Sequence, residues 1–243
     1  MRLTRIFADV PLGINETLEL PEAAAHHIGK VLRMRPDQKL HVFNGRGGYY
    51  TAVIAAIDKR TVSIIPLEFH AEERESNLNI TLGQGISRGQ HMDYTVQKAV
   101  ELGVAIIVPL VTEFSNVRLD PERSEKKLAH WRAITIHACE QSGRTRLPKI
   151  INPMSFTDWV ERISTDNKFI LTPQSGKALK IFSSLKRDIV LLTGPEGGFS
   201  AHEITRAVAA GYEAITLGPR VLRTETAAVA ALAAIQVLWG DLG

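Results

Sequence analysis

Cysteine is nearly absent: Cys139 is the only one in 243 residues, so an internal disulfide is impossible and a cysteine-built zinc site is excluded. A chain with no covalent staple suits a reducing compartment, and a cytoplasmic location is expected. Long apolar runs are missing as well. The opening MRLTRIFADVPLG lacks a signal-peptide core, and no run reaches the roughly 20 residues that span a bilayer. The most apolar stretch, TAAVAALAAIQVLWG, is short and alanine-rich and reads as a buried helix. There is no repeat, no Walker A loop, no H-E-x-x-H, no G-x-S-x-G and no cysteine-nucleophile pattern. His26 and His27 are adjacent, so on a helix they point apart, and no metal is expected; a surface role for His27 near Lys30 and Arg33 fits better. Charge of one sign is also lacking. The 29 Lys and Arg barely outnumber the 26 Asp and Glu, for a net charge of +3.

What is present is the balance of an ordinary globular protein, 44% hydrophobic and 23% charged, long enough for a large domain or a domain with a small partner. The basic residues are clustered: Arg2, Arg5, Lys30, Arg33, Arg35 and Lys39 near the start, Arg144, Arg146 and Lys149 in the middle, Arg220 and Arg223 near the end. Each cluster taken alone reads as solvated surface charge; together they lean toward a polyanionic partner.

The one composition shift is HAEERESNL, residues 70–78, which reads as a linker. Before it the pattern is mostly β. ETLEL is a short strand candidate, and Pro21 suits the first turn of a helix over AAAHHIGKVLRM. KLHVF, YYTAVIAAI and TVSIIPLEF read as strands joined by the turns NGRGG and DKR. Several short strands with one helix suggest a small β-barrel. After the linker, the apolar runs NITLG, AIIVPL, KFILT, DIVLLTG and EAITLG alternate with helical patterns. Met92, Val96, Ala99 and Val100 share one helical face, as do Leu128, Trp131, Ile134 and Ala138. Ser200 and Glu203 form a capping box, and Gly211 stops that helix. The rhythm predicts a mostly parallel sheet covered on both faces.

Two loops stand out, TGPEGGFS and LGPRVLRTET. Each follows a strand and precedes a helix, so both lie at the carboxyl edge of the sheet, where open α/β folds bind ligands. A Gly–Pro pair by itself is ordinary turn punctuation, but two such loops on one edge point to a site. Glu196 sits in the first loop, and Arg220, Arg223 and Glu225 in the second. Arginines there suit an anion, and carboxylates a cation or proton. LGQGISRG approaches a dinucleotide fingerprint, but Gly83, Gly85 and Gly89 miss its spacing by one residue, and the acidic partner has no match. Arg88 is a candidate for RNA or substrate contact. His137, Glu140, Gln141 and Arg144 are spaced to share a face that lines a cleft, meets solvent or meets a partner, and Lys98 and Glu101 are spaced to pair with each other.

SRGQHMDYTVQKAVELG, ACEQSGR, LLTGPEGGFS and LGPRVLRTETAAVAAL strongly resemble the bacterial 16S ribosomal RNA uridine-N3 methyltransferases, and HHIGKVLRMRPDQKLHVFNG resembles their N-terminal domain. The resemblance covers essentially the whole chain. It implies a PUA-like β-barrel over residues 1–72 and an α/β-knot (SPOUT-type) domain over 73–243, with a trefoil knot whose loops bind S-adenosylmethionine. It also implies a homodimer acting on 16S rRNA, within the small ribosomal subunit. By motif match, Leu171, Thr193, Gly194, Glu196, Gly197, Leu217, Gly218 and Leu222 would hold the cofactor, while Arg220, Arg223, Glu225 and Glu196 would serve catalysis. Lys98, Glu101 and Arg144 would edge the pocket, and Arg5, His27, Lys30, Arg33, Arg88, Lys98 and Arg144 would meet substrate or RNA. In TEFSNVRL, relatives often carry a basic residue where this chain has Phe114.

Methylation at uracil N3 requires loss of a weakly acidic proton and stabilisation of the resulting anion, a task suited to Arg220 or Arg223, with Glu225 or Glu196 orienting or accepting a proton. Three alternatives stay open: a knotted methyltransferase acting on a ribose 2′-hydroxyl or another base, a non-catalytic RNA-binding protein, and a nicotinamide oxidoreductase using the near-miss glycine loop.

Overall fold

The computed structural model describes residues 3–115, 121–173 and 176–243; Arg2 and the part of TEFSNVRL after Ser115 lie outside the described residues. Two compact units are present, Met1–Glu75 with Cys139–Leu147, and Ser76–Ala138 with Pro148–Gly243.

In the first unit, β1 (Arg5–Phe7), β2 (Leu18–Glu19), helix α1 (Glu22–His26), β3 (Lys39–Phe43), β4 (Tyr49–Ile57) and β5 (Val62–His70) follow in order. The period of two in the strand sequences sends Ala52, Ile54, Val62 and Ile64 inward, where they join Ile6, Leu40, Val42 and Ile28 in one core. The strands form a single sheet in the order β1-β3-β4-β5-β2, with β1 and β3 parallel and the other pairs antiparallel. The small barrel expected from the sequence is therefore an open path in its pairing, with β1 and β2 at opposite ends. NGRGG and DKR make the two hairpin turns; in the second, the Asp58 N–H donates to the Thr61 carbonyl at 2.9 Å. The helix expected over AAAHHIGKVLRM divides. α1 passes into a π-helix over His27–Val31, in which the Leu32 N–H reaches the His27 carbonyl, and Arg33, at φ 51°, ends it in the left-handed region.

Residues 139–147, the end of the long helix and the loop after it, also belong to the first unit, whereas the sequence pattern places everything after residue 72 in the second. Glu75 explains the difference. Its carboxylate accepts from Nε and Nη2 of Arg144, at 2.9 and 2.6 Å, and from the backbone N–H groups of Thr145 and Arg146. These partners are distant in sequence, so no local pattern announces them.

The second unit contains β6 (Asn79–Gly85), α2 (Gln90–Glu101), β7 (Ile106–Val111), α3 (Pro121–Ser142), β8 (Lys149–Ile150), β9 (Met154–Ser155), α4 (Phe156–Val160), β10 (Asn167–Leu171), β11 (Lys177–Ala178), β12 (Asp188–Thr193), α5 (Ala201–Ala209), β13 (Glu213–Thr216) and α6 (Thr224–Trp239). The sheet order is β11-β13-β10-β12-β6-β7-β8, with β9 also on β7, and every pair is parallel. Val108, Leu110, Ile170, Val190 and Leu192 pack on one side with residues of α4 and α5. The alternate residues Ile107, Phe169, Ile189 and Leu191 are just as buried. Both faces are covered, which is why these strands read as unbroken apolar runs rather than alternating ones. The predicted capping box at Ser200 and Glu203 is present, and Gly211 sits at φ 87°. β8, β9 and β11, two residues each, are too short to carry a periodic signal.

Candidate active site

Because all strands of the second unit run the same way, β6, β10, β12 and β13 end on one edge. β6 and β12 are neighbours in the sheet while chain order leads away from them on either side, the kind of reversal at which such sheets open a crevice. A cavity of about 370 Å3 lies there, within the size of small-ligand sites. Its walls include Leu171 and Thr172 from the end of β10, Thr193 to Gly198 after β12, Thr216 and Leu217 after β13, and Arg220 to Glu225 leading into α6.

The two loops keep their shape through buried polar contacts. Gln84, at the end of β6, is fully buried. Its side-chain nitrogen donates to the carbonyls of Gly85 and Gly194, at 2.8 and 3.2 Å, and lies 3.2 Å from the Thr224 hydroxyl, while its oxygen accepts from Thr193. The Thr224 hydroxyl in turn donates to the Gly194 carbonyl at 2.6 Å. One amide thus ties both loops to the sheet. Gly85 permits the approach: a Cβ there would stand 2.4 Å from Pro195. Gly218, at φ 94°, supplies the turn in the second loop that a residue with a Cβ resists.

Charge enters the cavity from few groups. Glu196 accepts from the backbone N–H of Arg88 at 2.8 Å. The Glu225 Oε2 stands 3.1 Å from the His91 Nδ1, and is shielded from solvent without a partner in hydrogen-bond geometry among the described residues. Arg220 and Arg223 are exposed at the mouth. Phe114, 47% exposed, stands beside Gly197, whose Cβ would meet it at 2.8 Å.

Of the residues expected in the pocket, Leu171, Thr193, Gly194, Glu196, Gly197, Leu217, Leu222, Arg220, Arg223 and Glu225 all line it; Gly218 shapes its loop without forming the wall. Lys98 and Glu101, expected at its edge, are outside the lining and bond each other at 2.8 and 2.9 Å. Arg88 presents an exposed side chain while its backbone holds Glu196. In the first unit, Lys30 and Arg33 are exposed and His27 half-buried. One expectation there is corrected. Arg144 does not share the helical face of His137, Glu140 and Gln141, because α3 ends at Ser142; it is buried against Glu75. Arg5 donates to the Gly143 carbonyl at 2.6 Å and its guanidinium lies 4.8 Å from the Tyr49 ring centre. Both guanidiniums are engaged within the protein.

The dinucleotide alternative also loses its basis. A Cβ at Gly83 would fall 2.7 Å from the Trp159 ring, so Gly83 and Gly85 serve packing against protein instead of making room for a pyrophosphate. Sequence reasoning missed Gln84, Thr224 and His91. For Gln84 a signal existed, a lone amide in the otherwise apolar run NITLGQG. His91 carried none, since one histidine near a helix start is unremarkable.

The walls suit a nucleoside joined to a cation: aliphatic side chains and backbone from close loops for a flat base and sugar, with carboxylates nearby for positive charge. Known proteins agree with this architecture. A family model described as an RNA methyltransferase domain matches residues 74–236, and an RNA methyltransferase PUA domain matches 20–67. Ribosomal RNA small subunit methyltransferase E of Buchnera aphidicola is 38% identical over 99% of this chain and 98% of its own, and that of Bacillus subtilis 30% identical over 93% of each. A methyltransferase of Legionella pneumophila, solved with its cofactor S-adenosylmethionine, superposes with a TM-score of 0.97 at 40% identity over the whole of both chains. The small subunit methyltransferase E of Neisseria gonorrhoeae, bound to S-adenosylmethionine, does so with 0.93 at 38%, again over both whole chains. Matched by the family model across most of its length and by full-length relatives at this identity, the chain belongs to the RNA methyltransferase family.

Proposed function

We propose that this protein transfers a methyl group from S-adenosylmethionine to N3 of a uridine in 16S ribosomal RNA of the small subunit. The observation that carries the reading is the cavity at the carboxyl edge of the second unit, with ten of the residues expected from the motifs in its walls. The relatives named for the small ribosomal subunit, and the two neighbours solved with S-adenosylmethionine, support the substrate and the cofactor. Leu171, Thr193, Gly194, Gly197, Leu217 and Leu222 would hold the cofactor, which supplies a methyl group activated on a cationic sulfur. The carboxylates of Glu196 and Glu225, in the cavity walls, would offset that positive charge. Arg220 and Arg223 present guanidinium donors at the mouth for the uracil oxygens, stabilising the anion left when N3 loses its proton. The target base reaches the cavity only when unstacked.

The proposal extends to the rest of the molecule. The first unit serves as a PUA-like RNA-binding domain, with Lys30 and Arg33 toward the RNA backbone, and the second as the methyltransferase domain. The loops after β12 and β13 belong to a trefoil knot, and the working form is a homodimer in the cytoplasm. The half-exposed apolar residues along α6 are consistent with a second copy. Among the described residues, no helix is long and apolar enough to cross a membrane.

The test is nucleoside mass spectrometry of ribosomal RNA from cells with and without the gene. One N3-methyluridine should vanish from small-subunit RNA. An unchanged N3-methyluridine content, or loss of a ribose methyl instead, sinks the assignment.

A further inference from the structure

Resting on that reading, we propose that His91 accepts the uracil N3 proton and that Glu225 positions it. The ionisable side chains lining the cavity are His91, Glu196, Arg220, Arg223 and Glu225. The guanidinium groups of the two arginines are donors only and offer no lone pair for a proton. A carboxylate is a weaker base than an imidazole by about 2 pKa units, and Glu196 is already engaged by the Arg88 N–H. That leaves His91, the one imidazole among the described residues of the cavity.

Its surroundings are arranged for the task. His91 lies in the first turn of α2, with its side chain 41% exposed, so the ring faces the cavity and is open to a ligand. Its Nδ1 is 3.1 Å from the Glu225 Oε2, an oxygen closed to solvent and without another partner among the described residues. A carboxylate at that distance selects the tautomer with the proton on Nδ1, which leaves the lone pair of Nε2 for the substrate. Glu225 is held in place because Thr224, beside it, is fixed by Gln84 and Gly194. The Nδ1–Oε2 contact is not yet aligned as a hydrogen bond, as is common for catalytic pairs before substrate closes the site.

The step balances. The N3–H bond breaks and its proton passes to the His91 Nε2. The N3 electron pair forms the new N–C bond, and the electrons of the broken S–C bond remain on sulfur. The imidazolium then returns its proton to solvent.

The experiment uses the full-length protein with small ribosomal subunits as substrate, and compares His91→Ala, His91→Gln, Glu225→Gln and Glu225→Ala. Both His91 variants should lose about 100-fold or more in kcat while binding S-adenosylmethionine, by calorimetry, as the unaltered protein does. Added imidazole should restore turnover to His91→Ala, and a series of substituted imidazoles should do so in order of basicity, which a purely structural histidine would not show. Glu225→Gln, which keeps an acceptor for Nδ1, should retain more kcat than Glu225→Ala. N3 methylation that persists within threefold in both His91 variants overturns the inference alone, and so does loss of cofactor binding in both. A methyl group found on another atom with the unaltered protein overturns the reading of the reaction first.

Discussion

The side-chain nitrogen of Gln84 and the hydroxyl of Thr224, 140 residues apart in sequence, stand 3.2 Å apart inside the second unit. Through this pair and the Gly194 carbonyl, the two loops of the cavity share one anchor. Gln84→Leu keeps the bulk of the side chain and removes its donors and acceptor. It should cost about 1–3 kcal/mol of stability, the penalty for stranding buried partners, and weaken cofactor affinity. Thermal unfolding and calorimetry read the two effects. Unaltered cofactor affinity would show that the loops hold themselves.

Gly85→Ala probes the same place by crowding. The added methyl would fall 2.4 Å from Pro195, a ring that cannot rotate away. A loss of about 1–3 kcal/mol is expected, with reduced S-adenosylmethionine binding. Gly198→Ala makes a contrast, since nothing lies within 4 Å of its Cβ although its φ is 72°; strain should be its main cost.

Arg223→Ala should lower kcat by about 100-fold or more, the size of effect expected when a preorganised donor to a developing anion is lost. Cofactor binding should stay within threefold. Near-normal turnover would remove Arg223 from the transfer step and leave Arg220.

The basic residues of the first unit divide by surroundings. Lys30→Ala with Arg33→Ala should lower RNA affinity without moving the melting temperature. The log–log salt dependence should flatten by about 0.7–0.9 for each phosphate that is no longer neutralised. Arg144→Ala should do the reverse. It leaves the Glu75 carboxylate only the backbone N–H groups of Thr145 and Arg146, at a cost of about 1–3 kcal/mol, and its effect appears in unfolding.

Acid should loosen the first unit at a definable place. Burial, aided by the charges of Arg5 and His70, holds the His41 imidazole below its ordinary value, against a smaller opposing pull from Glu72. Tyr49 and His70 pack on its ring side. The unfolded chain therefore takes up the proton first as pH falls. The stability tied to neutral His41 is intact above about pH 6.5 and is lost as pH drops through the lower folded value. Melting curves from pH 7.5 to 5 should show this decline, and His41→Gln should lessen it.

Most of the strands and all the long helices were legible because their signals are local. YYTAVIAAI alternates, DIVLLTG is a continuous apolar run and Ser200 begins a capping box. The carboxyl-edge location of the site followed from strand, loop and helix order alone. What could not be read depends on partners far along the chain. Nothing near Arg144 names Glu75, and nothing near Glu225 names His91. Arg5 and Arg144 look like any other basic residues of a cluster until their neighbours are known. The π-helix at His27–Val31 was also hidden, because Gly29 and Lys30 fit an α-helix equally well.

The anchoring of Gly194 by residues 84 and 224 has a consequence for biosynthesis. β6 to β12 can emerge and pair while the protein is still being made, yet the cavity lacks its far wall until Leu217 to Glu225 have been translated. A nascent chain that stops before Thr224 lacks the hydroxyl that holds the Gly194 carbonyl and the part of the wall that Glu225 supplies.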